Sequence, residues 1–280
     1  MIKKPLPVAL KIMTELLKYL VLLQTGLAYS GTSLFTMAAT KKDIFRQLQK
    51  DLLILQGFKT QAGSTAVDSN LGSIVNAFPN KTFPVAAVHE FLSTEPEHTA
   101  ATGGFISGLL AGLMQGGKAC VWISKSRTLF PPALQFFCAE PDQIIFIDLQ
   151  KEKDLLWAME EALKCEGLAA VVGEIPEISF TASRRLQLAT EQSRVTGFLL
   201  RHRPRNINTI ACVARWKITP LPTEPSDNMP GVGFPRWNVE LLKIRNGKPG
   251  TWQLEWIAGR FQTVYKETAA MENEPVRKTG

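Results

Sequence analysis

The first stretch able to carry chemistry is Ser93-Thr94-Glu95-Pro96-Glu97-His98-Thr99-Ala100-Ala101-Thr102-Gly103-Gly104, between a short apolar run and a helical pattern. In a nucleotide-binding α/β chain this is where a turn offers backbone N–H groups and a lysine to the phosphates, with Ser or Thr behind them for magnesium. The stretch holds no lysine. Glu95 and Glu97 stand where phosphates would lie, and their charge repels them. Glu95, Glu97, Thr102, Gly103 and Gly104 therefore read as a degenerate phosphate loop whose glycines let a helix pack closely on the strand without any ligand.

Magnesium and an activated water would also need a carboxylate at the end of a later strand. Glu174 is the one available stand-in, and the missing lysine argues against a catalytic role for it. His89, His98 and His202 have no obvious carboxylate partner, so no set of nucleophile, base and orienting acid assembles. No histidine pair stands with cysteine or carboxylate at the spacing of a metal site. The expectation is no catalytic residue, no metal and no cofactor. Cys120, Cys138, Cys165 and Cys212 are widely spaced, three of them in apolar runs, and read as structural thiols of a reducing compartment.

A second kind of chemistry is anion binding. Arg201, Arg203 and Arg205 cluster around Pro204, with Arg184 and Arg185 on the preceding helical pattern and Arg215 and Lys217 beyond. Guanidinium groups so placed would neutralise DNA phosphates or meet an acidic partner surface; a solvated basic face is the other reading. The charge balance fits either, because 84–180 carry −7 and 181–260 carry +8. Opposed poles of this kind suit an anionic partner on one side.

The elements that must position these residues are legible from Val85 onward. Short apolar runs at 88–92, 120–124, 144–148, 169–173, 197–202 and 209–216 read as strands. Helical patterns at 101–115, 131–138, 151–165 and 181–196 separate the first five. Ile144-Ile145-Phe146-Ile147 and Ala169-Ala170-Val171-Val172 are apolar on both faces, as strands of a parallel sheet covered by helices on both sides must be. Runs at 239–245 and 252–257, joined by Asn246-Gly247-Lys248-Pro249-Gly250, read as an antiparallel C-terminal hairpin. The core is thus assigned to 84–262, followed by a polar tail, 263–280.

Upstream of the core, Ile44, Leu48, Leu52 and Leu55 draw one stripe on a helix that needs an apolar partner. Residues 57–83 are rich in Gly, Ser, Thr, Asn and Pro and read as a linker, so 37–83 form a helix plus linker that would reach another chain or its own core. The apolar part of 1–36 is too short for a signal peptide or membrane span, and Met37 opens a natural-looking start. These residues read as a non-native or disordered extension, and the protein as cytoplasmic with no stable membrane association.

Several stretches resemble the ImuA family, the RecA-related accessory proteins of bacterial mutagenic repair. They are His89-Glu90-Phe91-Leu92, Gly103-Gly104-Phe105-Ile106-Ser107-Gly108, Trp122-Ile123-Ser124, Phe130-Pro131-Pro132-Ala133-Leu134, Ser183-Arg184-Arg185-Leu186 and Phe234-Pro235-Arg236-Trp237. The resemblance runs over about 37–264. It implies a RecA-like α/β core and a noncatalytic adaptor of an SOS-type DNA damage response that supports error-prone translesion synthesis. The partners it implies are a Y-family-like DNA polymerase subunit and other replication or RecA-type proteins, with direct DNA contact left open. An ATPase with a degenerate loop and a cell-division inhibitor are the alternatives. Where RecA carries a catalytic glutamate after its second strand, this chain has Lys125-Ser126-Arg127. The counterparts of the two RecA DNA-binding loops are cut short, the second to Arg203-Pro204-Arg205-Asn206-Ile207-Asn208.

Overall fold

A computed structural model describes Phe45, Leu48, Val67, 70–223 and 233–264. The chain divides into two units, Met1–Phe45 and Arg46–Gly280, and every described strand lies in the second. Its strands are β1 (Val88–Ser93), β2 (Cys120–Ser124), β3 (Ile144–Asp148), β4 (Ala170–Glu174), β5 (Thr196–His202), β6 (Ala214–Leu221), β7 (Arg236–Ile244), β8 (Gly250–Ile257) and β9 (Arg260–Thr263). Three α-helices, α1 (Pro96–Leu113), α2 (Glu152–Leu163) and α3 (Phe180–Ser193), connect the parallel strands.

One sheet runs β3-β2-β4-β5-β1-β6-β7-β8-β9. The first six strands in that order are mutually parallel, and β7, β8 and β9 add on antiparallel. The expected α/β class and mostly parallel sheet are therefore present. On one face α1 lays Phe105, Ile106, Leu109 and Leu110 against Phe91, Phe198 and Trp216. On the other, α2 and α3 bury Leu155, Met159, Leu163 and Leu186 against Val88, Val171 and Leu199. Strands apolar on both faces are the sequence cause of this double covering.

Four expectations need correction. Helix α1 begins at Pro96 rather than near residue 101, because proline fits the first helical position and Glu97 favours the first turn. Strand β6 starts at Ala214 and continues through Pro220. It pairs with β1 only as far as Lys217, so Pro220, which has no N–H to donate, has a neighbouring strand on the β7 side alone. The antiparallel part gains β9 after the turn at Ala258 (φ 51) and Gly259 (φ 74), a two-residue geometry whose usual Asn-Gly signal is absent here.

The fourth correction is the supposed linker. Val67, Leu71, Ile74, Phe78 and Phe83 are all buried. Gly72–Ala77 and Pro79–Lys81 form 3-10 turns. Leu71, Ile74 and Ala77 recur at three, the period that lines one face of such a turn. Ser73 Oγ lies 2.8 Å from Thr263 Oγ1, tying this segment to β9. Of the upstream stripe, Leu48 is helical and exposed; Ile44, Leu52 and Leu55 lie outside the described residues.

The α1 face of the core is an aromatic cluster. Phe91 stacks on Trp216 at 5.9 Å between centroids, and Phe105 meets Phe261 at 4.8 Å. Helix α1 approaches this cluster through Gly108, where a Cβ would stand 2.7 Å from Phe261 and 2.8 Å from Trp256. The buried His89 belongs to the same cluster: its Nε2 lies 2.6 Å from the Pro84 carbonyl, and Trp216 Nε1 donates to its Nδ1 at 3.3 Å. Burial lowers its pKa to about 4, so the ring is neutral, with Nε2 carrying the proton.

Candidate functional site

Only Thr94 and Glu95 separate the last residue of β1 from the first of α1. No long loop exists at this point to wrap a phosphate. Ser93 and the buried Thr102 share a hydroxyl contact at 3.0 Å, which pins the helix to the strand. Glu95 and Glu97 project into solvent, and Thr99 N–H already donates to the Glu95 carbonyl at 3.1 Å. Gly103 and Gly104 lie inside α1 rather than in a loop. A Cβ on Gly104 would stand 3.0 Å from Phe137 and 3.3 Å from Trp237, so this glycine lets the helix approach aromatic rings and not the strand.

Beyond the carboxyl ends of β1, β2, β4 and β5 lies a cleft of about 650 Å³, of ligand size and at the usual position for a site in a parallel sheet. One wall is α1; the other is the 3-10 segment Pro131–Phe137 together with Trp237. The polar groups in the cleft form a chain with one open link, because His202 Nε2 makes no hydrogen bond. Trp122 Nε1 donates to Glu174 Oε1 at 2.8 Å, Glu174 Oε2 lies 3.4 Å from His202 Nε2, and His202 Nδ1 lies 3.2 Å from Thr99 Oγ1.

The sequence reading found no such assembly, and the topology supplies it by bringing the ends of β4 and β5 to the first turn of α1. The polarity of the chain does not suit a nucleophile. Thr99 Oγ1 donates to the Glu95 carbonyl at 3.3 Å, which leaves its oxygen as acceptor toward His202, the reverse of what a general base requires. Glu174 is held by Trp122 and serves as a fixed acceptor. The signal for Trp122 and His202 was their place at or near strand ends on the carboxyl edge, where residues of different strands converge.

Where a catalytic glutamate would follow β2, Arg127 is paired with Asp148 at 2.7 Å and lies over the Phe146 ring. Among the described residues no group of three His, Cys, Asp or Glu is placed to hold a metal. Cys120 and Cys212 are buried, whereas Cys138 and Cys165 are exposed.

The arginine cluster comes apart. Arg201 is fully buried, so the expectation that it contacts a phosphate is corrected. It lies on β5, a strand covered on both faces, where it donates to Glu90 Oε1 at 2.9 Å, Asn208 Oδ1 at 3.0 Å, and the carbonyls of Pro176 and Asn206. Glu90 also accepts from Arg215. Arg203 and Arg205 remain exposed, Arg203 at the rim of the cleft. The Arg205 backbone N–H donates to Glu177. Arg184 and Arg185 are exposed on α3, Arg185 paired with Glu160 and Arg184 4.0 Å from Glu191.

No helix among the described residues is long and apolar enough to cross a membrane. No family model matches the chain. It is similar to Protein ImuA of Caulobacter vibrioides, from each of two strains, at 35% identity over 195 residues, which is 65% of this chain and 80% of that protein.

Proposed function

The chain belongs to the ImuA family, and on that premise we propose that it is a noncatalytic adaptor of the mutagenic DNA damage response. In this reading it supports error-prone translesion synthesis by binding a Y-family-like polymerase subunit, together with other replication or RecA-type proteins. The observation that carries the noncatalytic part is the turn at Thr94 and Glu95. A lysine-free connection of two residues is too short to wrap a phosphate, and Glu95 and Glu97 add negative charge at the start of the helix. The cleft supports the adaptor part: it is mostly apolar, its carboxylate is bonded to Trp122, and its shape depends on Phe137 and Trp237.

The test is complementation in the native organism. Deleting the gene should lower damage-induced mutation frequency, and the full chain should restore it. Glu174→Gln keeps an acceptor for Trp122 while removing the charge a metal or water would need, so it should restore mutagenesis equally. Loss of complementation by a folded Glu174→Gln protein would point to catalysis.

A further inference from the structure

On the α3 face, away from the cleft, the start of α3, residues 209–212 and the end of β7 enclose a groove of about 410 Å³. We propose that this groove binds single-stranded nucleic acid, with its phosphates on Lys243 and Arg245 and a base on the ring of Phe180. The proposal deepens the adaptor reading, on which it rests for its biological setting.

Lys243 stands near the end of β7 and Arg245 just past it, and both line the groove. Neither forms an ion pair among the described residues. Arg184 faces them from α3, reaching Glu191 only at 4.0 Å. Lys243 also stands opposite Arg215 in the β6–β7 register, an arrangement of like charges that opposes folding. Glu90, which touches Cys212 on the groove floor, is already occupied by Arg201 and Arg215. On the groove floor, burial pushes the Cys212 thiol up to about 12, helped by the charge of Glu90, while Lys243 and Arg215 pull the other way. Those two cations are therefore near enough for their field to reach the floor.

An uncompensated set of cations attracts a polyanion. What selects a nucleic acid over an acidic polypeptide is Phe180, 56% exposed and one helical turn from Arg184. An exposed ring beside phosphate-binding cations is the pairing by which proteins hold unstacked bases, and a duplex, whose bases are already stacked, would leave the ring unused.

The experiment is a salt titration of the full chain with a fluorescein-labelled oligothymidine of roughly 20 nucleotides, longer than the ~4–16 nucleotides of one single-strand site. Lys243→Ala with Arg245→Ala should flatten the slope of log K against log salt by about 1.4, two contacts at about 0.7 each. Phe180→Ala should weaken binding about tenfold and leave the slope unchanged. Lys243→Gln with Arg245→Gln, closer in size, gives the same reading if the alanine pair folds poorly. Superimposable slopes, or no binding by the wild type, would overturn the proposal. So would equal affinity for polyglutamate with no effect of Phe180→Ala, which would assign the groove to an acidic protein. Capture of the polymerase subunit is measured separately: its absence with DNA binding intact overturns the adaptor reading and leaves the groove standing.

Discussion

Arg201 on β5 and Glu90 on β1 meet at 2.9 Å with both side chains fully buried, at the centre of the parallel sheet. A buried pair of this kind adds little net stability compared with apolar residues, but removing one partner strands the other charge away from water. Arg201→Ala should therefore cost about 3–5 kcal/mol in urea denaturation. Glu90→Ala should cost a comparable amount, and the two losses should not add. A change under about 0.5 kcal/mol, the range of an ordinary surface substitution, would mean that Arg201 is solvated after all.

Arg203 and Arg205 provide the contrast. Both are exposed, and the contact Arg205 makes with Glu177 uses its backbone N–H, which alanine retains. Arg203→Ala with Arg205→Ala should shift stability by no more than about 0.5 kcal/mol per site. A steep fall in melting temperature would show that these two side chains belong to the buried network.

His89 gives a signed pH dependence. Its pKa is lowered to about 4 in the folded chain, against 6.5 for a solvated histidine. Its contribution is therefore fully present above pH 6.5 and is lost as pH falls toward 4, at about 1.4 kcal/mol per pH unit. His89→Gln should flatten the fall in stability between pH 6.5 and 4 relative to the wild type. Identical pH profiles would show that His89 protonates freely in the fold.

Gly108 sets two effects against each other. Alanine in a helix interior gains about 1 kcal/mol over glycine. Here its methyl would stand 2.7 Å from Phe261 and 2.8 Å from Trp256, and overpacking costs about 1–3 kcal/mol. Gly108→Ala should lower the melting temperature. A rise would mean that the two rings move aside at little cost.

The parallel half of the fold was legible because strands apolar on both faces leave few alternatives, and β2 and β3 have the predicted bounds. What escaped shares a physical cause: local patterns that do not follow the helix or strand period. Leu71, Ile74 and Ala77 repeat at three, and Ala258 adopts a positive φ that its residue type does not announce. The stretch from Ser93 to Gly104 is mostly helix and not loop, because Pro96 starts α1 only three residues after β1 ends. At the site, Glu174 was noticed alone, since only the sheet order brings Trp122 and His202 to it. Arg201 lies on β5, a strand covered on both faces, whereas Arg203 and Arg205 lie beyond its end, so three arginines close in sequence do not share one surface.

On the proposed adaptor role, the protein binds partners and does not turn over nucleotide. The most direct measurement is calorimetric titration of magnesium-ATP into the full chain, alone and with the Y-family-like polymerase subunit of the same organism, with phosphate release followed in parallel. A noncatalytic adaptor shows no saturable ATP binding, no phosphate release, and a polymerase complex whose affinity is the same with and without ATP. Micromolar ATP binding with phosphate release, or a complex that forms only when ATP is present, would contradict that role.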